Sequence, residues 1–135
     1  MRVVFDANVV FAGAGLRGEA YAGLLAMARR RVTAIATPEI LDELRALVAE
    51  RGCKSKHSAD NLLGWYYDTV KLVEPSPLGK RRSRDPKDDP FLACALAAGA
   101  NVIVSSDEDL LAMKKPFGIE ILTPRELLTR LARAA

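Results

Sequence analysis

The sequence predicts a three-layer α/β/α domain built around a central, mostly parallel β-sheet. Short apolar runs without polar–apolar alternation recur along the chain, as expected for strands that are buried on both faces. A segment with helical periodicity follows each run, and this alternation is typical of units that return the chain into a parallel sheet. The length of 135 residues suits one domain, so we expect residues 1–135 to form a single unit.

The composition is typical of a globular protein and indicates its redox compartment and location. Hydrophobic residues make up 50% and charged residues 27%, and the net charge of +3 permits a polyanionic partner without requiring one. Cys53 and Cys94 are too few for a disulfide framework and predict free thiols in a reducing compartment. Asp6 interrupts the N-terminal apolar run, and Gly99 and Asn101 interrupt the longest one. We therefore expect no signal peptide, no membrane span and a cytoplasmic location.

In the first half of the chain, strands and helices alternate. The predicted elements are a strand at residues 2–5, a helix at 19–31, a strand at 32–36 and a helix at 39–50. Between the first two, glycines as far as Gly18 predict a loop. Arginines 29–31 end the first helix, where cations complement its partial charge. Thr37 predicts an N-cap, with Pro38 at the first helical position.

The second half continues the same alternation after a linker. The predicted elements are a helix at residues 60–67, a strand at 69–73, a linker marked by Pro75, Pro77 and Gly79, a helix at 91–98, strands at 101–105 and 119–122, and a final helix. Pro90 suits a first helical position and Gly99 a helix end. Ser106 with Asp109, like Thr123 with Glu126, fits a capping box.

Acidic residues stand where a parallel sheet binds its ligands. Asp6 directly follows the first predicted strand and Asp107 lies just beyond a later one, and ligands of such sheets bind beyond the carboxyl ends of strands. Asp88 and Asp89 precede a predicted helix, and Glu43 lies at the edge of an apolar helical stripe. Capping, an Asx turn or helix-dipole complementation could explain each acid singly. Capping does not require two strands to end in acid.

If Asp6, Glu43, Asp89 and Asp107 converge, their chemistry points to a metal ion. Two carboxylates about 4 Å apart repel by roughly 4 kcal/mol at an effective dielectric constant near 20, so a cluster needs cations or protons. Hard oxygen ligands without histidine or cysteine favour Mg²⁺ or Mn²⁺ over Zn²⁺. Such ions activate water for phosphodiester hydrolysis.

A basic segment precedes the acids at 88 and 89. Its members are Lys80, Arg81, Arg82, Arg84 and Lys87. A solvated charge run is one interpretation of this segment. Its position also suits a role in holding the phosphate backbone of a nucleic acid beside the acids.

Four segments together resemble the PIN-domain family. They are VVFDANVVFAG, TPEILDELRALV, RDPKDDPFLACALAAGANVIVSSDEDLL and IEILTPREL, and they cover essentially the whole chain in this order. More narrowly, the chain looks like the VapC-like branch, the toxin components of toxin–antitoxin pairs. The resemblance implies a metal-dependent ribonuclease that cuts RNA by water attack and leaves 3′-hydroxyl and 5′-phosphate ends. It also implies a homodimer, and inhibition by an antitoxin protein that blocks the site.

The resemblance also assigns roles to individual residues. Asp6, Glu43, Asp89 and Asp107 match the four acids of the family, Asn8 and Ser105 match its supporting polar residues, and Asp88 and Asp109 match acids commonly seen alongside. Ala7 departs from the pattern, because the family often has threonine or serine there. The departure removes a hydroxyl near the site and leaves the four acids in place.

Two other functions fit parts of the pattern. A phosphatase could use Asp6 as its nucleophile, although Asn8 stands where such enzymes have a second aspartate. Lys114 or Lys115 would have to complete that site. A non-catalytic PIN-like module could bind RNA or an antitoxin without cleavage, but a binder would not need four mutually repelling acids.

Overall fold

The structure is a computed structural model that describes residues 1–15, 18–51, 56–75, 89–113 and 116–134. At residues 56–60, 89 and 134 it describes the backbone alone. Several sequence predictions lie outside these ranges: those for Cys53, Pro77, Gly79, Asp88, Lys114, Lys115 and the basic segment at 80–87. Among the described residues, no helix is long and apolar enough to cross a membrane.

Across the described residues, five parallel strands form one sheet. They are β1 (Arg2–Phe5), β2 (Thr33–Ala36), β3 (Lys71–Leu72), β4 (Val102–Val104) and β5 (Glu120–Leu122), in the order β3-β2-β1-β4-β5. Phe5 pairs with Val104 in the register of the two central strands. Because β1 and β4 therefore end at the same level, Asp6 and Ser105 leave the sheet side by side. The prediction of an α/β fold with a central parallel sheet is confirmed.

Seven α-helices lie within the described residues and cover the sheet. They are α1 (Ala7–Ala14), α2 (Gly18–Ala28), α3 (Pro38–Arg51), α4 (Lys56–Thr69), α5 (Asp89–Ala98), α6 (Glu108–Leu111) and α7 (Pro124–Ala134), with a 3₁₀ turn at Pro116–Gly118. Helix α5 packs across β1, β2 and β4, whereas α2 packs against α1 and α7. The helices thus bury the central strands, and Phe5, Leu92 and Ile103 are among the fully buried side chains.

The prediction of a loop after Asp6 is wrong for residues 7–14, which form helix α1. Its glycine at position 13 serves helix packing instead of a turn. A Cβ atom on Gly13 would lie only 2.6 Å from Cδ1 of Leu24 and 3.1 Å from the backbone oxygen of Ala20. A larger residue at this position would require Leu24 and the backbone of α2 to shift, so glycine permits the close approach of α1 and α2.

Three other element predictions needed smaller corrections. Helix α4 begins at Lys56 and ends at Thr69, so it is longer at both ends than the predicted 60–67. Helix α2 ends at Ala28, three residues before the predicted end at residue 31. Strand β3 comprises two exposed residues, fewer than the five predicted. Short or interrupted apolar patterns leave these boundaries poorly determined by the sequence.

Candidate active site

Asp6 is the buried centre of the candidate site. It is 2% exposed and is the N-cap of α1, where its Oδ1 atom accepts a hydrogen bond from the backbone N–H of Asn8 at 3.2 Å. Its own backbone N–H donates to the carbonyl oxygen of Val104 at 2.9 Å. Its second carboxylate oxygen, Oδ2, accepts from the hydroxyl of Ser105 at 2.7 Å. Both the sheet and the helix therefore fix the position of this carboxylate.

The Ser105 hydroxyl joins two acids that follow neighbouring strands. Ser105 is fully buried, and its Oγ atom donates to Asp6 while accepting from the backbone N–H of Asp107 at 2.9 Å. A hydroxyl can donate and accept at once, so this one group positions both residues. The sequence indicated a supporting role for Ser105 through the family resemblance. It did not indicate this bridge.

Asp107 caps the short helix α6. Its Oδ1 atom accepts from the backbone N–H of Asp109 at 2.7 Å, so the capping residue is Asp107 and the predicted capping box at Ser106 is wrong. The helix therefore starts one residue later than the sequence predicted, with the loop between Ser105 and Asp107 preceding it. Among the described residues, no donor reaches Oδ2 of Asp107. Capping therefore occupies only one oxygen of this carboxylate.

The site holds negative charge in a poorly solvated place. Burial raises the pKa of Asp6 above its ordinary value, hydrogen bonds from Ser105 and Asn8 oppose this rise, and the charge of Asp107 adds to it. Within the described ranges, no lysine or arginine forms an ion pair with Asp6 or Asp107. A bound cation would offset the desolvation of the Asp6 carboxylate and its repulsion from the carboxylate of Asp107. Oxygen-only donors of this kind fit Mg²⁺ or Mn²⁺.

The other two predicted acids lie on helices that begin near the same edge of the sheet. Asp89 is the first residue of α5, which leads into β4 and must start at the carboxyl edge. Glu43 is half-buried in the second turn of α3, which follows β2 and packs against α1 and α5. Because the side chain of Asp89 is outside the described set, its approach to Asp6 stays a prediction.

The structure therefore brings together part of the predicted site. Asp6, Asn8, Ser105, Asp107 and Asp109 are connected through hydrogen bonds. Among the side chains that the structure describes, no three aspartate, glutamate, histidine or cysteine groups are placed to share one metal ion. A third ligand would have to come from Asp88 or Asp89, or from a shift of Glu43.

The predicted RNA-binding residues stay predictions. Lys80, Arg81, Arg82, Arg84 and Lys87 lie outside the described residues, as does Asp88. Helix α5 nevertheless starts directly after this segment, and its start lies at the carboxyl edge of the sheet.

Two further buried groups do not belong to the acidic site. Cys94 is fully buried, and burial raises the pKa of its thiol to about 12, so it is unsuited to nucleophilic attack. Tyr66 is 1% exposed, and within the described part of the chain its hydroxyl has no hydrogen-bond partner. Burial raises the pKa of this hydroxyl above its usual range. The sequence offered no signal for an unpartnered hydroxyl.

Comparisons with known proteins agree with the fold. The protein PAE2754 from Pyrobaculum aerophilum has a similar crystal structure, with a TM-score of 0.65 and 23% sequence identity over 98% of this chain and 99% of that one. Comparison with curated proteins finds no significant match. A PIN domain profile matches residues 2–109, a span that includes Asp6, Glu43, Asp89 and Asp107. The chain therefore belongs to the PIN domain family.

Proposed function

We propose that the protein is a Mg²⁺- or Mn²⁺-dependent endoribonuclease and the toxin of a toxin–antitoxin pair. The observation that carries the proposal is the hydrogen-bonded set of Asp6, Ser105 and Asp107 at the ends of β1 and β4. It stands at the carboxyl edge of a parallel sheet, where such folds bind ligands. Membership of the PIN domain family supports nuclease chemistry at that edge.

In this proposal the four acids hold the metal and the polar residues hold the acids. Asp6, Glu43, Asp89 and Asp107 provide the oxygen ligands. When bound, the ion supplies an activated water and stabilises charge on the phosphate oxygens. The backbone N–H of Asn8 and the hydroxyl of Ser105 keep the Asp6 carboxylate in one orientation.

The acids at 88 and 109 take supporting places in the same proposal. Asp109 is held beside Asp107 through its backbone N–H. Asp88 immediately precedes the first residue of α5. We assign both to the surroundings of the ligands, where carboxylates tune the charge of the site.

In this proposal the substrate is RNA, and the basic segment holds its phosphate backbone. Lys80, Arg81, Arg82, Arg84 and Lys87 would contact the phosphates that flank the scissile bond. Hydrolysis by metal-activated water leaves a 3′-hydroxyl on one fragment and a 5′-phosphate on the other. We further propose that the protein acts in the cytoplasm as a homodimer and that a cognate antitoxin blocks the acidic edge.

Incubating the purified protein with varied RNAs tests the nuclease activity directly. Reactions contain Mg²⁺, Mn²⁺ or EDTA, and the cut ends are sequenced and tested for a 5′-phosphate. We expect cleavage only with a divalent ion, and none with the matched variant Asp6→Asn. Cleavage in EDTA, or ends that carry a 2′,3′-cyclic phosphate, would contradict a metal-activated water.

Induced expression in bacterial cells tests the toxin role. We expect the wild-type chain to arrest growth and Asp6→Asn to permit it at equal protein levels. Normal growth with active wild-type nuclease in the cells would contradict the toxin assignment while leaving the nuclease proposal intact.

A non-catalytic binding module is the second candidate, and one observation favours it. Among the described side chains, no three acids are placed to share an ion. RNA binding without cleavage at any concentration of Mg²⁺ or Mn²⁺ would select this alternative. A phosphatase that uses Asp6 as nucleophile fits less well. The Asp6 carboxylate is buried, and both of its oxygens already accept hydrogen bonds.

A further inference from the structure

A groove lies between α2 and α7, with an apolar lining and arginines at one end. Its lining includes Ala22, Leu25, Leu128, Ala132, Arg29 and Arg31. Leu25 and Leu128 are half-buried, so part of their apolar surface faces solvent. The groove has no role in the proposed nuclease site.

Two contacts fix the direction of the groove. Near the starts of the two helices, Nε of Arg125 lies 2.9 Å from a carboxylate oxygen of Glu19. Near their ends, the guanidinium of Arg31 donates to the backbone oxygen of Leu131. Helices α2 and α7 thus run in the same direction. Because α2 leads into β2, their ends lie at the amino edge of the sheet, opposite the edge that carries Asp6.

The arginine end of the groove carries uncompensated positive charge. Arg29 and Arg31 line this end and are both exposed, and within the described ranges neither forms an ion pair. Cations at helix ends complement the helix dipole, and Arg31 also binds a terminal carbonyl group of α7. Neither role accounts for two exposed arginines that line the same groove as a solvent-facing apolar strip.

We propose that this groove docks an acidic amphipathic helix of a partner protein. Apolar side chains of the partner would lie between Leu25 and Leu128, and its carboxylates would face Arg29 and Arg31. Helix-in-groove recognition needs an apolar strip of this kind, and opposite charge fixes the orientation of the partner. A phosphodiester backbone would satisfy the arginines but would leave the apolar strip uncovered. The inference does not depend on nuclease activity.

Binding of two designed peptides tests the proposal. Each is a helical peptide of about 16 residues, long enough to follow either groove helix. Leucine and alanine form one face, and the flanks carry glutamate in one peptide and lysine in the other. We expect the glutamate peptide to bind the purified protein at least about tenfold more tightly, as judged by fluorescence anisotropy. Added salt should weaken its binding.

Variants of the protein locate the binding surface. We expect Arg29→Glu and Leu128→Glu each to weaken binding of the glutamate peptide by at least about tenfold. Lys71→Glu makes the same charge change on the exposed strand β3 and should have no effect. Circular dichroism and thermal unfolding check that each variant is folded. Arg29 is exposed, so its variant remains informative if Leu128→Glu unfolds.

Three results would overturn the proposal. The first is equal binding of the two peptides, or glutamate-peptide binding that Arg29→Glu leaves unchanged. The second is a single-stranded RNA that displaces the glutamate peptide and loses affinity in Arg29→Glu, which would assign the surface to nucleic acid. The third is self-association in sedimentation that Arg29→Glu abolishes and the peptide does not affect, which would assign it to a second copy of the chain.

Discussion

Asp6 combines burial, two hydrogen bonds and a neighbouring acid in one residue. Its raised pKa has a defined consequence for stability. When the pH rises above 3.8, the ordinary pKa of aspartate, Asp6 loses its carboxyl proton in the unfolded chain. In the folded chain it keeps this proton until the pH reaches the raised pKa. The unfolded state then binds fewer protons, so this group lowers stability as the pH rises through that window.

Asp6→Asn removes that unfavourable charge. In EDTA at about pH 7 we expect the variant to have a higher melting temperature than the wild type, since a neutral amide replaces a buried anion. The gain should shrink as the pH approaches the ordinary pKa of aspartate, where both states of the wild type are protonated. The rate of RNA cleavage should fall by at least about a hundredfold, because the variant lacks one carboxylate ligand of the ion that stabilises charge in the transition state.

Calorimetry across the pH range measures the change in melting temperature of Asp6→Asn, and the cleavage assay measures its loss of activity. Asp42→Asn provides a matched control on an exposed surface, where Asp42 pairs with Arg45. Full cleavage activity in Asp6→Asn would remove this acid from the mechanism. A gain in melting temperature that is independent of pH would contradict the role of its buried charge.

Ser105 acts through the acids that it positions. Ser105→Ala deletes the donor to Asp6 and the acceptor for the N–H of Asp107, and should cost about 1–3 kcal/mol of unfolding free energy. We expect metal affinity or activity to fall by about 10–100-fold, as for other residues that orient ligands. The exposed neighbour Ser106 provides the control variant Ser106→Ala.

A titration of cleavage rate against Mn²⁺ concentration separates positioning from general damage. If Ser105 positions the ligands, Ser105→Ala needs more Mn²⁺ for half-maximal rate than Ser106→Ala does. An unchanged Mn²⁺ requirement with a lower melting temperature would reduce Ser105 to a structural residue.

At the residue scale, the positions of two acids were more predictable than their contacts. Asp6 and Asp107 were nominated because each follows a predicted strand, and the structure places both at the ends of neighbouring strands. The bridge through Ser105 could not be predicted, since it depends on the parallel register that sets Phe5 beside Val104. That register is a tertiary property of two strands almost a hundred residues apart.

Helices are where sequence patterns both succeeded and failed. Thr123 and Glu126 form the predicted capping box, with reciprocal hydrogen bonds of 3.1 and 3.2 Å at the start of α7. Helix α1 was missed because glycine usually marks a loop, whereas Gly13 is required by the side chain of Leu24. A local pattern shows capping chemistry, but it does not show which neighbour will pack against a glycine.

Replacing glycines with alanine tests this interpretation of α1. We expect Gly13→Ala to lower stability by about 1–3 kcal/mol, because the new methyl group forces α1 away from α2. Gly64→Ala is the matched change in α4, where a Cβ atom would meet nothing within 4 Å. That variant should gain up to about 1 kcal/mol from helix propensity. Urea unfolding of both proteins measures the difference, and equal stabilities would contradict the packing role of Gly13.

At the scale of the whole molecule, the parallel topology explains how distant segments meet. Strands β1 and β4 are adjacent in the sheet, and α3 and α5 begin at the same edge. Alternating apolar runs and helical patterns were sufficient to predict this architecture. The strand order was not predictable from such patterns, because they record which residues are buried and not which strands pair.

If the acids at this edge share a cation, metal binding must stabilise the folded state. At an ion concentration one hundred times the dissociation constant, the stabilisation is about 2.7 kcal/mol. For a domain of this size that corresponds to a rise of roughly 10 °C in the melting temperature. We expect this rise with Mn²⁺ or Mg²⁺ in the wild type and its loss in Asp107→Asn. An equal rise in both proteins would place the ion elsewhere.

The most direct test is the anomalous diffraction of Mn²⁺ in crystals of the protein. We expect one strong peak at the carboxyl edge of the sheet, within coordination distance of Asp6 and Asp107 and of a carboxylate from the start of α5. Crystals soaked in saturating Mn²⁺ that show no peak at this edge, or a peak only at distant sites, would contradict the shared cation and with it the proposed nuclease.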